Sequence, residues 1–147
     1  MSILKTLQDF LLDFGMDMAI TEIEGEVLNI IDYINTDVVD KEPTSFALAP
    51  SGNTKIKEDI LGNKTYQNSY VFYAKENAMG EADRQDTYNF LEAFSAWVDS
   101  GVLPSLQEPY RALKLEVSNG ILIDMDENKN GLYQIQIQFI YHRRVID

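Results

Sequence analysis

The sequence has 147 residues with 24 acidic and 12 basic side chains, one histidine and no cysteine. Over this length, a hydrophobic share of 45% predicts a single domain, residues 1–147, that builds its own core. The absence of cysteine excludes a disulfide framework, a cysteine-ligated zinc site and a thiol nucleophile. The lone His142 excludes any site that needs two imidazoles.

The formal net charge of −12 repels the phosphate backbone, so general nucleic-acid binding is not expected. The sequence has no run of about 18 apolar residues, which predicts a chain without a membrane span. Residues 1–12 carry polar side chains at helical spacing instead of the unbroken apolar block of a secretory signal. These features predict a cytoplasmic protein.

The first third of the chain predicts one helix and several short extended segments. Apolar residues recur every three or four positions from Ile3 to Phe14, which predicts a helix capped by Ser2 and ended by Gly15. Glutamates alternate through residues 22–26 with a strand-like period that a glycine weakens. Residues 29–34 form either a short strand or a buried turn of helix, because periodicity alone does not separate the two in so short a run.

The middle of the chain predicts two strands and a long helix. Residues 44–49 form a short strand that ends at a turn, Ser51–Asn53. Residues 66–75 are dense in aromatic and β-branched side chains, which predicts a strand. Asp83 caps a helix that reaches about Ser100. Its apolar stripe is Tyr88, Leu91, Phe94, Trp97 and Val98, with Phe90 flanking it.

The last third predicts two strands joined by a hairpin. Leu113, Leu115 and Val117 lie on one face, which Ile121, Ile123 and Met125 continue. The cleanest period-two alternation follows at residues 133–141. Residues 126–131 join the pair, with Asn130-Gly131 as the tight turn. The whole order, α-β-β-β-α-β-β, predicts an α+β fold with a mainly antiparallel (mixed) sheet and two helices packed on one face.

The motifs of the chain favour structural interpretations over catalytic ones. The segment Asp126–Gly131 copies the first half of a calcium-binding EF-hand loop, but Ile137 stands where the bidentate carboxylate belongs. A polar hairpin turn is therefore favoured over a calcium site, with a weak adventitious cation at Asp124 and Asp126 as the alternative. The carboxylates at positions 22, 24 and 26 and at 37, 40 and 42 are interpreted as solvated. No phosphate-binding loop, nucleophile elbow or zinc-protease motif is present.

The end of the chain leaves two interpretations open. Gln134, Gln136 and Gln138 are uncharged on a face that a solvated sheet often fills with Lys and Glu. This face is either the polar side of a central strand or a surface that packs against another subunit without burying charge. Arg143 and Arg144 either contact a neighbouring acidic subunit or balance the local surface.

Five segments between residues 29 and 141 together show a family resemblance. They are Glu42–Leu48, Gln67–Glu76, the helix from Asn89 to Trp97, Gly101–Pro104 and Gly131–Tyr141. The Tyr-Gln-Ile-Gln ending after a Gly-Leu turn and the earlier Glu-Pro-Thr-Ser are their most specific parts. In this order, the segments resemble the minor capsid or tail-terminator (tail-completion) proteins of long-tailed phages (siphophages) and prophages.

The resemblance implies a structural protein, with no enzymatic activity and no cofactor. Such terminators form a ring, commonly of six subunits, on the head-proximal end of the tail tube. The ring ends tube growth and joins the tail to the head. The implied partners are further copies of the chain, the tail tube protein and the head connector protein, with DNA only in passage through the lumen and no membrane. The implied location is the tail or neck of the virion, assembled in the bacterial host cytoplasm.

A ring requires two different patches on each subunit, which meet head to tail. We expect these contacts in the hairpin at 124–131, in the stretch around Ile56, and on the glutamine face and arginine pair of the last strand. The candidate residues are Lys55, Lys57, Asp124, Asp126, Asn128, Gln134, Gln136, Gln138, Arg143 and Arg144. The acidic balance of the chain also suits a lumen that lets DNA slide through.

Two alternatives stay open at the level of sequence. One is a head-completion or tail-adaptor protein of the same assembly, because these proteins share the size and the α+β fold. The other is a small cytoplasmic ligand-binding module or enzyme, which would need a concave polar pocket built from Tyr, Asp and Glu.

Overall fold

The computed structural model describes residues 2–18, 22–23, 26–27, 34–39, 45–118 and 120–145. These residues form two helices, α1 (Ile3–Met18) and α2 (Glu81–Asp99). The strands are β1 (Glu22–Ile23), β2 (Glu26–Val27), β3 (Ile34–Thr36), β4 (Ser45–Glu58), β5 (Lys64–Asn77), β6 (Tyr110–Val117), β7 (Ile121–Met125) and β8 (Asn130–Arg143).

Six strands form a mixed sheet. Five of them lie side by side in the order β3-β4-β5-β8-β6, and the sixth, β7, also pairs with β8. Strands β6 and β7 both pair with β8, on the side that β5 leaves free. Only β3 is parallel to its neighbour, β4, and the other pairs are antiparallel. Strands β1 and β2 form a separate antiparallel pair. The predicted α+β fold with a mainly antiparallel sheet is confirmed.

Both helices pack on the same face of the sheet, as the sequence predicts. Alternate residues of β4, β5 and β8 point towards the helices, because successive side chains of a strand point to opposite faces. Aromatic rings fill much of the layer between helices and sheet. The buried cluster includes Leu7, Leu11 and Phe14 of α1, Phe90, Leu91, Phe94 and Val98 of α2, and Phe46, Leu48, Tyr70, Phe72, Tyr133, Ile135, Ile137 and Phe139 of the sheet.

Helix α1 begins as predicted and ends later than predicted. The Ser2 Oγ accepts a hydrogen bond from the Lys5 N–H at 3.2 Å, which is the geometry of an N-terminal cap. The prediction that Gly15 ends the helix is wrong, because α1 continues to Met18. A glycine inside a helix costs only about 1 kcal/mol, so it does not by itself stop one.

Helix α2 starts at a different residue from the one expected. Gly80 is the N-cap, and the Asp83 carboxylate accepts the Gly80 N–H at 3.2 Å from the first turn. The assignment of Asp83 as the cap is therefore wrong by one turn, although its carboxylate does bond to the start of the helix. The stripe also shifts, since Phe90 is buried at its centre while Tyr88 and Trp97 are only partly buried at its margin.

Strand β4 is longer than predicted because it passes straight through the expected turn. Ser51–Asn53 lies within β4, where the pairing with β5 shifts register between Pro50 and Gly52. A bulge absorbs one extra residue without ending the strand. The chain reverses at residues 59–63 instead, where the Asp59 Oδ1 accepts the N–H groups of Leu61 and Asn63 at 2.9 and 3.0 Å.

Strand β7 presents the opposite side chains from those expected. Val117 pairs with Ile137 and Ile121 pairs with Gln134, so four steps along this edge match three steps along β8. The extra residue places Ile121 on the outer face and Leu122 on the core face, and the pairing shifts once more between Leu122 and Asp124. Leu122 packs against the core instead. The prediction that the core face continues through β7 is wrong, and its expected members are all exposed: Ile121, Ile123 and Met125.

A bulge also changes the start of β6. The pairing of β6 with β8 shifts between Ala112 and Lys114, so Leu113 leaves the core face and is 39% exposed. Leu115 is buried as predicted, and Val117 is partly buried against the core. The predicted core face of this strand is therefore correct at Leu115 and Val117 and wrong at Leu113.

Several predictions fall on residues outside the described ranges. The alternation at residues 22–26 is described only at positions 22–23 and 26–27, which lie in β1 and β2. Of the ambiguous segment 29–34, only Ile34 is described, and it begins β3. Asp40 and Glu42 of the second acidic group also lie outside these ranges.

Candidate subunit interface

The candidate residues occupy three separate places on the sheet. Lys55 and Lys57 lie near the end of β4, and Lys57 is level with Thr65 and His142 across the neighbouring strands. The pair Arg143-Arg144 therefore lies at the same end. The hairpin that contains Asp124, Asp126 and Asn128 lies at the opposite end, and the glutamines lie between the two ends. The strand length of about 3.3 Å per residue separates the two ends of β8 by roughly 40 Å.

The end of β4 is an exposed sheet edge. Strand β3 pairs with β4 only as far as Leu48, and residues 50–58 are all exposed. Ile56 keeps 50% of its surface in water. Lys55 is 3.4 Å from the Glu58 carboxylate, whereas Lys57 forms no ion pair among the described residues. Among the described residues, this segment combines a backbone without a partner strand on its outer side, an exposed isoleucine and a lysine without an ion pair.

The hairpin between β7 and β8 is held by its own carboxylate. The Asp126 Oδ1 accepts the N–H groups of Asn128 and Asn130, each at 2.9 Å. These bonds lower the pKa of the Asp126 carboxyl below its ordinary value, and the bond from the Asn130 N–H has the largest effect. Lys75 contacts the other carboxylate oxygen at 3.4 Å. Asp126 therefore stabilises the turn of its own chain. A cation or a second subunit would have to compete with these hydrogen bonds for the carboxylate oxygens.

The turn itself differs in one detail from the prediction. Lys129 holds the left-handed conformation, with φ of 64°, and Asn130 already begins β8. The prediction of an Asn130-Gly131 tight turn is therefore wrong by two residues. The prediction of a polar hairpin is confirmed at this place. Asp124 is exposed, and its Oδ1 accepts the N–H of Met125 at 2.8 Å.

The glutamines lie on the outer face of a central strand, opposite the helices. The Gln138 Oε1 accepts bonds from the Gln67 Nε2 at 2.9 Å and from the Ser69 Oγ at 2.6 Å. Gln136 is exposed and Gln134 is half-buried. Of the two open interpretations, the polar face of a central strand describes this arrangement directly, and a subunit contact over it stays a prediction.

The arginine pair is engaged within its own chain. Arg144 donates from Nη2 to the Glu108 carboxylate at 2.7 Å. The Arg143 guanidinium lies 6.0 Å from the ring centroid of Tyr110, at the outer limit of a cation–π contact. The single histidine, His142, is 3.2 Å from Thr65 Oγ1 through its Nδ1. Local charge balance thus describes Arg144 better than an intersubunit contact does.

Sequence reasoning missed the two charged residues on the open side of β6. Lys114 and Glu116 are exposed on the outer face and form an ion pair at 2.7 Å. Their alternation with leucines was visible in the sequence. Nothing in the sequence shows, however, that β6 is an edge strand, because edge position depends on which strands pair.

The described residues contain no group of three or more His, Asp or Glu side chains that could hold a metal ion. A cleft of about 210 Å³ lies at the end of the sheet, lined by Glu108, Pro109, Tyr110, Arg111, His142 and Arg144. Glu108 and Arg144 already neutralise each other there.

None of the helices in the described ranges is long and apolar enough to cross a lipid bilayer. A comparison with models of known protein families and a search of curated proteins found no match to this chain.

Proposed function

We propose that this chain is a structural protein of phage or prophage morphogenesis that caps the head-proximal end of the tail tube as a ring. The ring would end tube growth and connect the tail to the head connector. The partners in this proposal are further copies of the chain, the tube protein and the connector, within the tail or neck of the virion. The proposal starts from the resemblance of residues 29–141 to tail-terminator proteins.

One observation of the fold supports the ring. Within the described ranges, the sheet is open and has two unlike exposed edges, residues 50–58 of β4 on one side and β6 with β7 on the other. A closed ring needs two different surfaces that meet head to tail, whereas a two-fold dimer needs only one surface that matches itself. Two unlike edges on one sheet are therefore the arrangement that a ring can use.

Removing the gene from the phage or prophage that encodes this chain tests the proposal. We expect tails of irregular, extended length that lack heads, since nothing stops the polymerising tube. Supplying the wild-type chain from a plasmid should restore the normal tail length. Tails of normal length that fail to join heads would support the adaptor alternative, and unchanged infectious particles would contradict any role in the virion.

A further inference from the structure

The two exposed edges of the sheet are suited to continue into one another between copies. An unpaired strand edge presents a row of N–H and C=O groups that can accept a further strand. Among the described residues, β4 has no partner on its outer side beyond Leu48, and β6 and β7 pair only with β8. Residues 52–58 contain no proline, so no N–H is missing among the alternate residues whose backbone groups point outward, away from β5.

We propose that the β4 edge of one copy pairs antiparallel with the β6–β7 edge of a second copy, placing Lys57 opposite the partner's Glu116. The inference rests on the proposed ring, because it joins two unlike edges head to tail. Its direction follows from the sheet: β4, β5, β8 and β6 alternate in direction. A rotation about an axis near the strand direction keeps that alternation, so β4 meets the next β6 antiparallel.

The acidic hairpin is a poorer partner for β4 than β6 is. Asp124 pairs with Leu132, which pairs with Lys75, which pairs with Ser45. The hairpin is therefore level with the start of β4, next to the stretch Phe46–Leu48 that β3 already covers. The exposed part of β4 lies at the other end of the sheet, level with β6.

Charge sets the offset between the two strands. Without an offset Lys57 would face Arg111, because both are level with His142. Glu116 is level with Gln138, four residues earlier on β8, and an even offset keeps outer-face side chains on the outer face. The offset is four steps of about 3.3 Å along the strand direction. The four strands of one copy span roughly 19 Å across that direction at the usual strand spacing. The ratio of the two lengths corresponds to a strand tilt of about 35°. Closed barrels have tilts of about 35–45°.

The charged groups at these positions can make the new contact at little cost. Lys57 forms no ion pair among the described residues, while Glu58 is already shared by two lysines of its own chain. Glu116 is paired with Lys114, but both side chains are about half exposed or more, and exposed pairs contribute about 0–1 kcal/mol. The Glu116 carboxylate can therefore accept a second cation without losing a strong bond.

The lysines on β4 also have a simpler interpretation, which is protection against indiscriminate strand pairing. Both interpretations agree that two β4 edges in register repel each other, because like charges directly opposite are destabilising. They differ in the partner position that they predict. Opposite Lys57, the partner's Glu116 removes the repulsion, whereas the partner's Arg111 adds to it. The proposal therefore predicts a specific partner position, which protection alone does not.

Cysteine cross-linking tests the contact, because the chain has no cysteine of its own. The variant with Lys57→Cys and Glu116→Cys is oxidised at high protein concentration and also bound to tail tubes. Opposite residues of an antiparallel pair have Cβ atoms about 4.5–5.5 Å apart, close enough for a disulfide after a small shift. We expect a ladder of disulfide-linked oligomers that ends at one closed species, and no ladder from either single variant.

Matched pairs decide between the alternatives. A ladder from Lys57→Cys with Arg111→Cys, or with Asp124→Cys, but not with Glu116→Cys would overturn the proposed offset. Dimers from Lys57→Cys alone would show a two-fold contact and overturn the head-to-tail interface. Tubes capped by the 57/116 variant without any ladder would refute this interface and leave the tail function standing. A full ladder from a protein that leaves tubes uncapped would support this interface and refute the tail function.

Charge reversal gives an independent measurement without cysteines. We expect Lys57→Glu and Glu116→Lys each to reduce self-association at least tenfold by sedimentation, and the double variant to restore it. The exposed Lys5→Glu variant, on α1, serves as the control for net charge. Equal self-association by all four variants would count against a Lys57–Glu116 contact.

Discussion

Replacing Phe94 by alanine is expected to lower the free energy of unfolding by about 3–5 kcal/mol. Phe94 is fully buried, and its ring stacks on Phe72 of β5 at a centroid distance of 4.8 Å. It also meets Phe14 of α1 edge-on at 5.3 Å. One side chain therefore connects both helices to the sheet, and no single element can move to fill the space that alanine leaves.

Urea unfolding followed by the fluorescence of the single tryptophan measures this loss. Trp97 is one turn from Phe94, with ring centroids 6.5 Å apart, so it reports on the same layer of the core. Glu92→Ala, on the exposed side of the same helix, is the control, and its change should stay within about 0.5 kcal/mol. A loss below about 1 kcal/mol for Phe94→Ala would contradict this description of the core.

The second large effect is expected at the passage from β6 to β7. A Cβ atom at Gly120 would lie 2.7 Å from Leu91 Cδ1 and 3.2 Å from Ile135 Cγ1. Both neighbours belong to the packed core, so we expect Gly120→Ala to cost about 1–3 kcal/mol through overpacking. Gly120 also precedes Ile121, the residue that the extra position places on the outer face of the sheet.

A double-mutant cycle with Leu91→Ala separates this collision from other effects. Alanine at position 91 removes the Cδ1 atom, the nearer of the two Leu91 contacts, and keeps the Cβ atom at 3.0 Å. The double variant should therefore lose at least 0.5 kcal/mol less than the two single losses added together, as coupled neighbours do. Strict additivity in urea unfolding would mean that Gly120 is not packed against Leu91.

The parts of the fold with strong periodicity were predictable from the sequence. The alternation in β5 and β8 and the helical stripe with Leu91, Phe94 and Val98 each correspond to buried faces. Three errors in the strands lie at Ser51–Asn53, Leu113 and Ile121, where an extra residue shifts the register with the partner strand. The other errors concern the helix ends at Gly15 and Asp83 and the turn at Asn130-Gly131. A bulge depends on the register with a partner strand, and register is a tertiary property that local alternation does not contain.

The candidate interface was predictable only in part, for the same reason. The positive charge of the Lys55–Lys57 stretch was visible in the sequence, but its position on an uncovered edge follows from the short length of β3. The acidic hairpin around Asp126 resembles an interaction site in sequence. The Asp126 carboxylate, however, accepts hydrogen bonds from the backbone of the same hairpin. Glu116 gains its importance only from the register that makes β6 an edge beside β8.

We propose that copies of this chain close a ring on the end of a tail tube. Electron microscopy of the purified chain mixed with the tube protein from the same gene cluster tests it most directly. We predict tubes of halted length that carry a ring at one end only, with growth resuming when the chain is left out. Tubes that grow equally long with and without the chain, and carry no ring at either end, would contradict the claim.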